Sequence, residues 1–284
     1  MFKILSELKF STLGNIIFGV QIWSGILNSL LVYTGEIMII LITGATAGFG
    51  AAMVKRFINS GHKVIATGRR LERLEKLKSE FGESLYPLQL DVRDRINVDT
   101  AINSLPSEWK DIDVLVNNAG LAMGVNPTQS ASLDDWDTMI QTNINGLLYC
   151  TQKILPGMVK RNKGHIVNLG SVAGEFPYAG GNVYGATKAF VHQMSLNMRA
   201  DLLGTNVRVT NIEPGMCQTE FSEVRFNGDK EKADAVYKGV HALSADDVAE
   251  TIEWVISRPA HVNINVISLM PTQQAFAGFS VHRT

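Results

Sequence analysis

Met38-Ile39-Ile40-Leu41-Ile42-Thr43-Gly44-Ala45-Thr46-Ala47-Gly48-Phe49-Gly50 decides the fold. An apolar run rich in β-branched residues reads as a buried strand, and the segment from Gly50 to Ser60 has the period of a helix. Between them the glycines are spaced G-x-x-x-G-x-G. A glycine turn between strand and helix lets backbone N–H groups approach a bound anion at the positive end of the helix, so Gly44, Ala45, Thr46, Ala47, Gly48, Phe49 and Gly50 are expected to cradle a pyrophosphate.

Outward from this stretch the chain alternates apolar β runs with helical segments, the pattern of a parallel sheet covered on both faces. Strands are predicted at Ile39 to Thr43, Lys63 to Thr67, Leu85 to Gln89, Val114 to Asn117, His165 to Leu169, Arg208 to Ile212 and Ile264 to Leu269. Further helices are predicted at Arg70 to Phe81, Val98 to Ser104, Leu133 to Lys160 with a possible kink at Pro156, Asn182 to Leu203, and Ala245 to Ser257. The expected architecture is α/β: a single doubly wound Rossmann domain with a seven-stranded parallel sheet. Gly215 to about His241 shows no clear period and reads as a loop covering substrate.

Composition narrows the function classes. The chain has 284 residues, 45% of them hydrophobic and 19% charged, enough to bury a large core. Lys and Arg number 26 against 27 Asp and Glu, a net charge of -1 that gives no footprint for nucleic acid or an anionic bilayer. Cys150 and Cys217 have neither metal-ligand nor redox spacing, so they read as small buried apolar residues in a reducing, cytoplasmic setting, and no metal is called for.

Residues 1–37 differ from the rest. Phe10 to Gly35 carries no charge and is long enough to cross a bilayer. A membrane anchor flanked by Lys3 and Lys9 competes with a cleaved signal peptide and with an upstream start. The upstream start is favoured, because Met38 opens the fold directly. The domain is therefore expected to span 38–284, with 1–37 an apolar extension and membrane attachment not expected.

The end of the second strand discriminates between nicotinamide cofactors. An Asp or Glu there would hold a free ribose 2′-hydroxyl, but this chain reads Thr67-Gly68-Arg69-Arg70, with no acid before Glu72. Two guanidiniums that would oppose a helix dipole suit a 2′-phosphate, so Arg69 and Arg70 select NADP.

Tyr184 and Lys188, four residues apart, fall on one helical face, where the ammonium together with an oxidised nicotinamide is expected to draw the phenol's pKa down for acid–base work. Ser171, at the end of the fifth strand, is placed to meet the same substrate oxygen, and Asn143 offers a fourth polar group. Together these residues resemble the short-chain dehydrogenase/reductase family over essentially everything after Met38. The resemblance implies that Asn143, Ser171, Tyr184 and Lys188 are the catalytic tetrad and that Asp91 and Val92 contact the adenine. It also implies that Asn117-Asn118-Ala119-Gly120 supports the sheet and the adenine ribose side, that Tyr184 and Lys188 touch the cofactor, and that Pro214, Gly215 and Thr219 close over the nicotinamide. Ala45 to Gly50, Pro177 to Tyr184 and Pro259 to Asn265 are similar to the bacterial NADP-dependent 3-hydroxy acid dehydrogenases. That likeness implies substrates such as L-allo-threonine, serine and malonic semialdehyde, and a homotetramer.

Such a substrate needs a cation for its carboxylate. Arg225 is chosen, ahead of Lys230, Arg199 and Arg208, against the alternative of a solvated loop arginine. Met216 and Phe221 are expected to line the pocket, and His165 is read as a strand-entry residue. Two other functions stay open: reduction of other carbonyls such as 3-oxoacyl thioesters, and a non-catalytic NADPH-binding regulatory role.

Overall fold

The computed structural model describes residues 36–226 and 228–276. Seven strands form one parallel sheet: β1 (Ile39–Ile42), β2 (Lys63–Gly68), β3 (Leu85–Gln89), β4 (Val114–Asn117), β5 (Gly164–Leu169), β6 (Val207–Pro214) and β7 (Val266–Leu269). Their order is β3-β2-β1-β4-β5-β6-β7, with every neighbouring pair parallel. The order reverses between β1 and β4, and a doubly wound sheet opens a crevice at that switch point beyond the carboxyl ends of its strands.

The two-residue period of the strands divides the core. Ile40, Ile42, Val64, Ala66, Val114 and Val116 face one layer, made by α1 (Gly48–Asn59), α2 (Leu71–Phe81) and α9 (Ala245–Ile256), through Met53, Phe57, Leu74, Ile252 and Val255. Leu41, Ile65, Leu115 and Ile166 face the other, made by α3 (Arg95–Asn103), α5 (Gly146–Arg161) and α6 (Asn182–Asp201), through Val98, Ile102, Cys150, Ile154 and Met198. Strands buried on both faces read as continuous apolar runs, which is why β1, β2 and β4 are plain in the sequence.

Four expectations need correction. The helix predicted from Leu133 to Lys160 is α4 (Leu133–Ile140), a π-helical turn at Gln141–Asn145, and α5; the irregularity falls at Asn143, while Pro156 lies inside α5. The helix predicted to begin at Val98 begins at Arg95, because Asp94 caps it by accepting from the N–H groups of Ile96 and Asn97. The stretch from Gly215 to His241 holds two short helices, α7 (Phe221–Arg225) and α8 (Lys230–Ala235). Finally, β7 starts at Val266 and not at Ile264, because the Asn263 side chain takes the ladder's place: its Oδ1 accepts from Val209 N at 2.8 Å and its Nδ2 donates to Val209 O at 3.0 Å.

Among the described residues no helix is long and apolar enough to cross a membrane. The apolar run Phe10 to Gly35 lies outside the described residues. Cys150 is buried and Cys217 partly buried, both with free thiols.

Candidate active site

The glycine turn between β1 and α1 is shaped by backbone geometry. Gly48 has φ +50°, a conformation that side chains with a Cβ rarely adopt. A Cβ on Gly50 would lie 2.2 Å from the Gly44 carbonyl oxygen and 2.8 Å from Ala45 Cα, so no larger residue fits the close packing of helix on turn. Behind the turn, Thr43 Oγ1 accepts from the N–H groups of Asn118 and Ala119 at 3.0 and 2.9 Å. Asn118 Nδ2 donates to the carbonyls of Thr43 and Gly44 at 2.8 and 3.1 Å. These bonds tie the ends of β1 and β4 together across the switch point.

The N-terminus of α1 fits an anion. Its cap residue Ala47 makes no side-chain hydrogen bond, and its first turn holds no acidic residue. The unpaired N–H groups and the positive pole of a twelve-residue helix thus meet the loop without an internal partner. Arg70 Nη2 donates to Thr46 Oγ1 at 3.3 Å, and Arg73 Nη1 donates to the Thr46 carbonyl at 3.4 Å. Arg73 escaped the sequence reading, although it lies three residues beyond Arg70 on the same helical face. Arg69 is exposed beside them, and its charge, weaker in effect than Arg93, helps to hold the Asp91 carboxyl below its ordinary range. Asp91 is chiefly engaged by Arg93, whose Nη2 lies 2.6 Å from its Oδ2. Val92 is buried, packing in the core layer formed by α3 and α5.

Ser171, Tyr184, Lys188 and Asn143 converge beyond β4 and β5. Ser171 caps the 3₁₀ turn Val172–Gly174 by accepting from Ala173 N at 3.1 Å, and its Oγ donates to the Pro214 carbonyl at 3.3 Å. Lys188, 7% exposed, donates to the Leu169 carbonyl at 2.7 Å, and its Nζ lies 5.8 Å from the centre of the Tyr184 ring. The buried Asn143 amide accepts from Leu121 N at 2.9 Å and donates to Leu121 O at 2.8 Å and to Thr187 Oγ1 at 3.1 Å. The π turn places it there, and a Cβ on Gly120 would come within 3.4 Å of Asn143 Oδ1 and 3.5 Å of Lys188 Nζ.

The electrostatics differ from the sequence expectation. Burial pushes the Tyr184 phenol well above its ordinary value; a hydrogen bond with Ser171 and the charge of Arg225 act against that shift. Burial also lowers Lys188, to about 8. Arg225 is thus a second cation beside the phenol, while the Lys188 ammonium donates to a backbone carbonyl.

Arg225 closes the other side of the cleft from the end of α7. Its Nη2 donates to Tyr178 Oη at 2.8 Å, its Nε donates to the Gly124 carbonyl at 3.4 Å, and its own carbonyl accepts from Gly124 N at 3.0 Å. The guanidinium carbon stands 5.4 Å from the Tyr178 ring centre and 5.9 Å from that of Tyr184. Phe221 packs on Tyr184 with ring centres 5.6 Å apart. Tyr178 gave no signal of its own in the sequence, because an exposed aromatic after a turn has no diagnostic spacing. Thr219 faces the glycine turn: a Cβ on Gly48 would lie 3.6 Å from Thr219 Cβ. Gly215 N donates to Leu269 O at 2.8 Å, which ties the segment after Pro214 to β7.

The other candidates stand apart. Arg208 donates to the carbonyls of Val255, Ile256, Arg258 and Val262 behind the sheet, and Arg199 lies in the last turn of α6. Lys230 opens α8. His165 is buried, its Nε2 2.8 Å from Thr210 Oγ1, and burial holds its pKa well below the ordinary value.

Comparison with known proteins identifies the family. The pattern of the family described as short chain dehydrogenase matches residues 38–230. An NADP-dependent 3-hydroxy acid dehydrogenase of Escherichia coli strain K12 is 61% identical over 247 residues, which are 87% of this chain and all of that protein. A serine 3-dehydrogenase of Agrobacterium fabrum is 55% identical, covering 86% of this chain and 98% of that one. Among solved structures, the closed form of a serine dehydrogenase complexed with NADP+ superimposes with a TM-score of 0.86 at 60% identity, over 87% of this chain and 100% of that chain. The family's pattern thus spans the first strand, the glycine turn and the sheet through β6, and the chain belongs to the short chain dehydrogenases.

Proposed function

We propose that this chain is an NADP-dependent oxidoreductase that interconverts short 3-hydroxy acids, such as L-allo-threonine, serine and 3-hydroxypropionate, with their 3-oxo acids or semialdehydes. The observation that carries the reading is the position of Arg225. Its guanidinium stands over the Tyr184 ring at 5.9 Å, so a cation sits within a small molecule's length of the phenol and of Ser171. A 3-hydroxy acid carries its carboxylate two bonds from its reacting carbon, so a substrate held at the phenol presents the carboxylate to its immediate surroundings, where a forked guanidinium suits it. The names of the relatives point to the same substrate class.

The cradle fits the dinucleotide. The uncapped N–H groups of α1 would hold the pyrophosphate, Arg69, Arg70 and Arg73 the 2′-phosphate, Asp91, Val92 and Asn118 the adenosine, and Pro214, Gly215 and Thr219 the nicotinamide. NADPH, when bound, supplies the hydride for the carbonyl carbon.

In this mechanism Ser171 holds the carbonyl oxygen by a hydrogen bond, and Tyr184 gives that oxygen its proton. The raised pKa of the phenol keeps it protonated for reduction. For oxidation it must lose the proton, which Ser171 and Arg225 favour. Lys188, lowered to about 8, is poised to exchange a proton near neutrality and to hold the cofactor ribose. Asn143 fixes the Leu121 backbone beside Lys188 and would anchor a water linking the ammonium to solvent. The same reading includes a cytoplasmic homotetramer, whose mass light scattering would check.

Steady-state assays with malonic semialdehyde, L-allo-threonine and serine against NADP and NAD test the proposal, with turnover expected to favour NADP. Preference for a 3-oxoacyl thioester, or NADPH binding without turnover, would overturn it. Tyr184→Phe is expected to lower kcat by about 10²- to 10⁴-fold with cofactor affinity retained.

A further inference from the structure

A second cluster of chemistry-bearing side chains lies behind the reaction centre and has no part in the mechanism above. Glu213 is the last residue but one of β6, and its side chain is 0% exposed. One carboxylate oxygen, Oε1, accepts from Asn211 Nδ2 at 2.7 Å and lies 2.6 Å from His192 Nδ1. The other, Oε2, is buried with no hydrogen-bond partner, and so is Asn211 Oδ1. Both orphans are acceptors. The Glu175 carboxylate also lies against Glu213, with its Oε1 3.8 Å from His192 Nδ1.

Two carboxylates and an imidazole therefore face one another, one ligand atom of each within 4.8 Å of the others. A buried carboxylate oxygen without a partner, next to a second carboxylate, calls for a cation. The ligands come from three elements: the turn after β5, the middle of α6, and the end of β6. Glu175 and His192 keep side-chain exposures of 38% and 26%, which gives an ion a path from solvent to the buried Glu213.

We propose that Glu175, His192 and Glu213 form a site for one divalent transition-metal ion of the Zn²⁺ type, with water as the fourth ligand. One imidazole with two carboxylates suits such an ion, whereas Mg²⁺ and Ca²⁺ take oxygen ligands. Metal–ligand bonds of about 2.0–2.2 Å require the three ligands to draw together slightly and the His192–Glu213 pair to open. Asn211, holding Glu213 Oε1, acts as a positioning residue. The site clamps β6 immediately before Pro214, the residue whose carbonyl accepts from Ser171, and holds α6 one turn beyond Lys188.

The full-length protein, freed of metal with a chelator, is titrated with Zn²⁺ by calorimetry and with Co²⁺ by visible spectroscopy. One equivalent per chain is expected, with a tetrahedral Co²⁺ spectrum, a rise in Tm on Zn²⁺ addition, and no competition from Mg²⁺. His192→Gln and Glu175→Gln change partly exposed side chains and are expected to fold. Each should weaken Zn²⁺ binding at least about tenfold, the lower end of the cost of losing even an outer partner of a ligand. Absence of stoichiometric uptake overturns the proposal and leaves a shared proton as the cluster's cation. Uptake unchanged in both variants overturns it equally, because the ion then sits elsewhere.

Discussion

The two walls of the cleft are built on different principles. The wall formed by β1, β4 and the glycine turn is made of backbone: helix N–H groups, a glycine that admits no Cβ, N–H groups held by Thr43 and carbonyls held by Asn118. The wall formed after β6 is made of side chains on short helices and the turn after them: Arg225 on Tyr178 and Gly124, Phe221 on Tyr184, and Tyr237, whose hydroxyl donates to the Cys217 carbonyl at 2.8 Å. The first kind of wall tolerates little change because it has no rotamers to adjust. The second can be altered one side chain at a time.

The contrast is broken most severely by Gly50→Ala. With a Cβ 2.2 Å from the Gly44 carbonyl oxygen, it is expected to destabilise the fold by about 3 kcal/mol and to abolish NADP binding, read by thermal unfolding and by cofactor fluorescence. A variant with wild-type Tm and affinity would show that the backbone wall yields after all.

On the other wall, Arg225→Gln is expected to leave Tm nearly unchanged and to lower kcat/KM for hydroxy acids about 10- to 100-fold through KM, the worth of a charge-assisted hydrogen bond. Because the Arg225 charge lowers the Tyr184 pKa, its removal raises that pKa further, so the pH profile of oxidation should move to more alkaline pH. An unchanged profile would mean that the guanidinium does not act on the phenol. Arg70→Ala together with Arg73→Ala should narrow the preference for NADP over NAD by about tenfold or more, measured as the ratio of dissociation constants.

The smallest effect concerns stability alone. His62 and His165 both have pKa values lowered by burial, well below the ordinary value for His165. The unfolded chain takes up protons that the folded chain refuses, so stability is full above about pH 6.5 and falls as the pH drops below it, by up to about 1.4 kcal/mol per pH unit for each histidine. Urea unfolding at stepped pH measures the slope, and His165→Asn should reduce it. The loss belongs to the sheet and not to the cleft, so cofactor affinity per folded molecule should not follow it.

The same contrast explains what the sequence could disclose. Buried parallel strands must be apolar throughout, and a phosphate turn must be glycine-rich, so β1, the loop to Gly50 and the switch point are visible as strings of residues. Tyr184 and Lys188 are visible because a helical turn brings them together from adjacent positions. The π turn at Asn143 was not, since nothing in Gln141-Thr142-Asn143-Ile144-Asn145 distinguishes it from α-helix by period. Nor were α7 and α8, which are too short to show a period. The pairing of Arg225 with Tyr178, 47 residues apart, and the cluster of Glu175, His192 and Glu213 depend on tertiary proximity, which spacing along the chain does not encode.

The hydrogen bond from Ser171 to the Pro214 carbonyl has a consequence for biosynthesis. A nascent polypeptide that has left the ribosome only as far as Lys188 already contains the glycine turn and the Ser-Tyr-Lys set, yet the acceptor that orients the serine has still to emerge. Reactivity is therefore withheld until β6 is added to the sheet, and a product truncated before that strand should be inert even where it retains every reacting group.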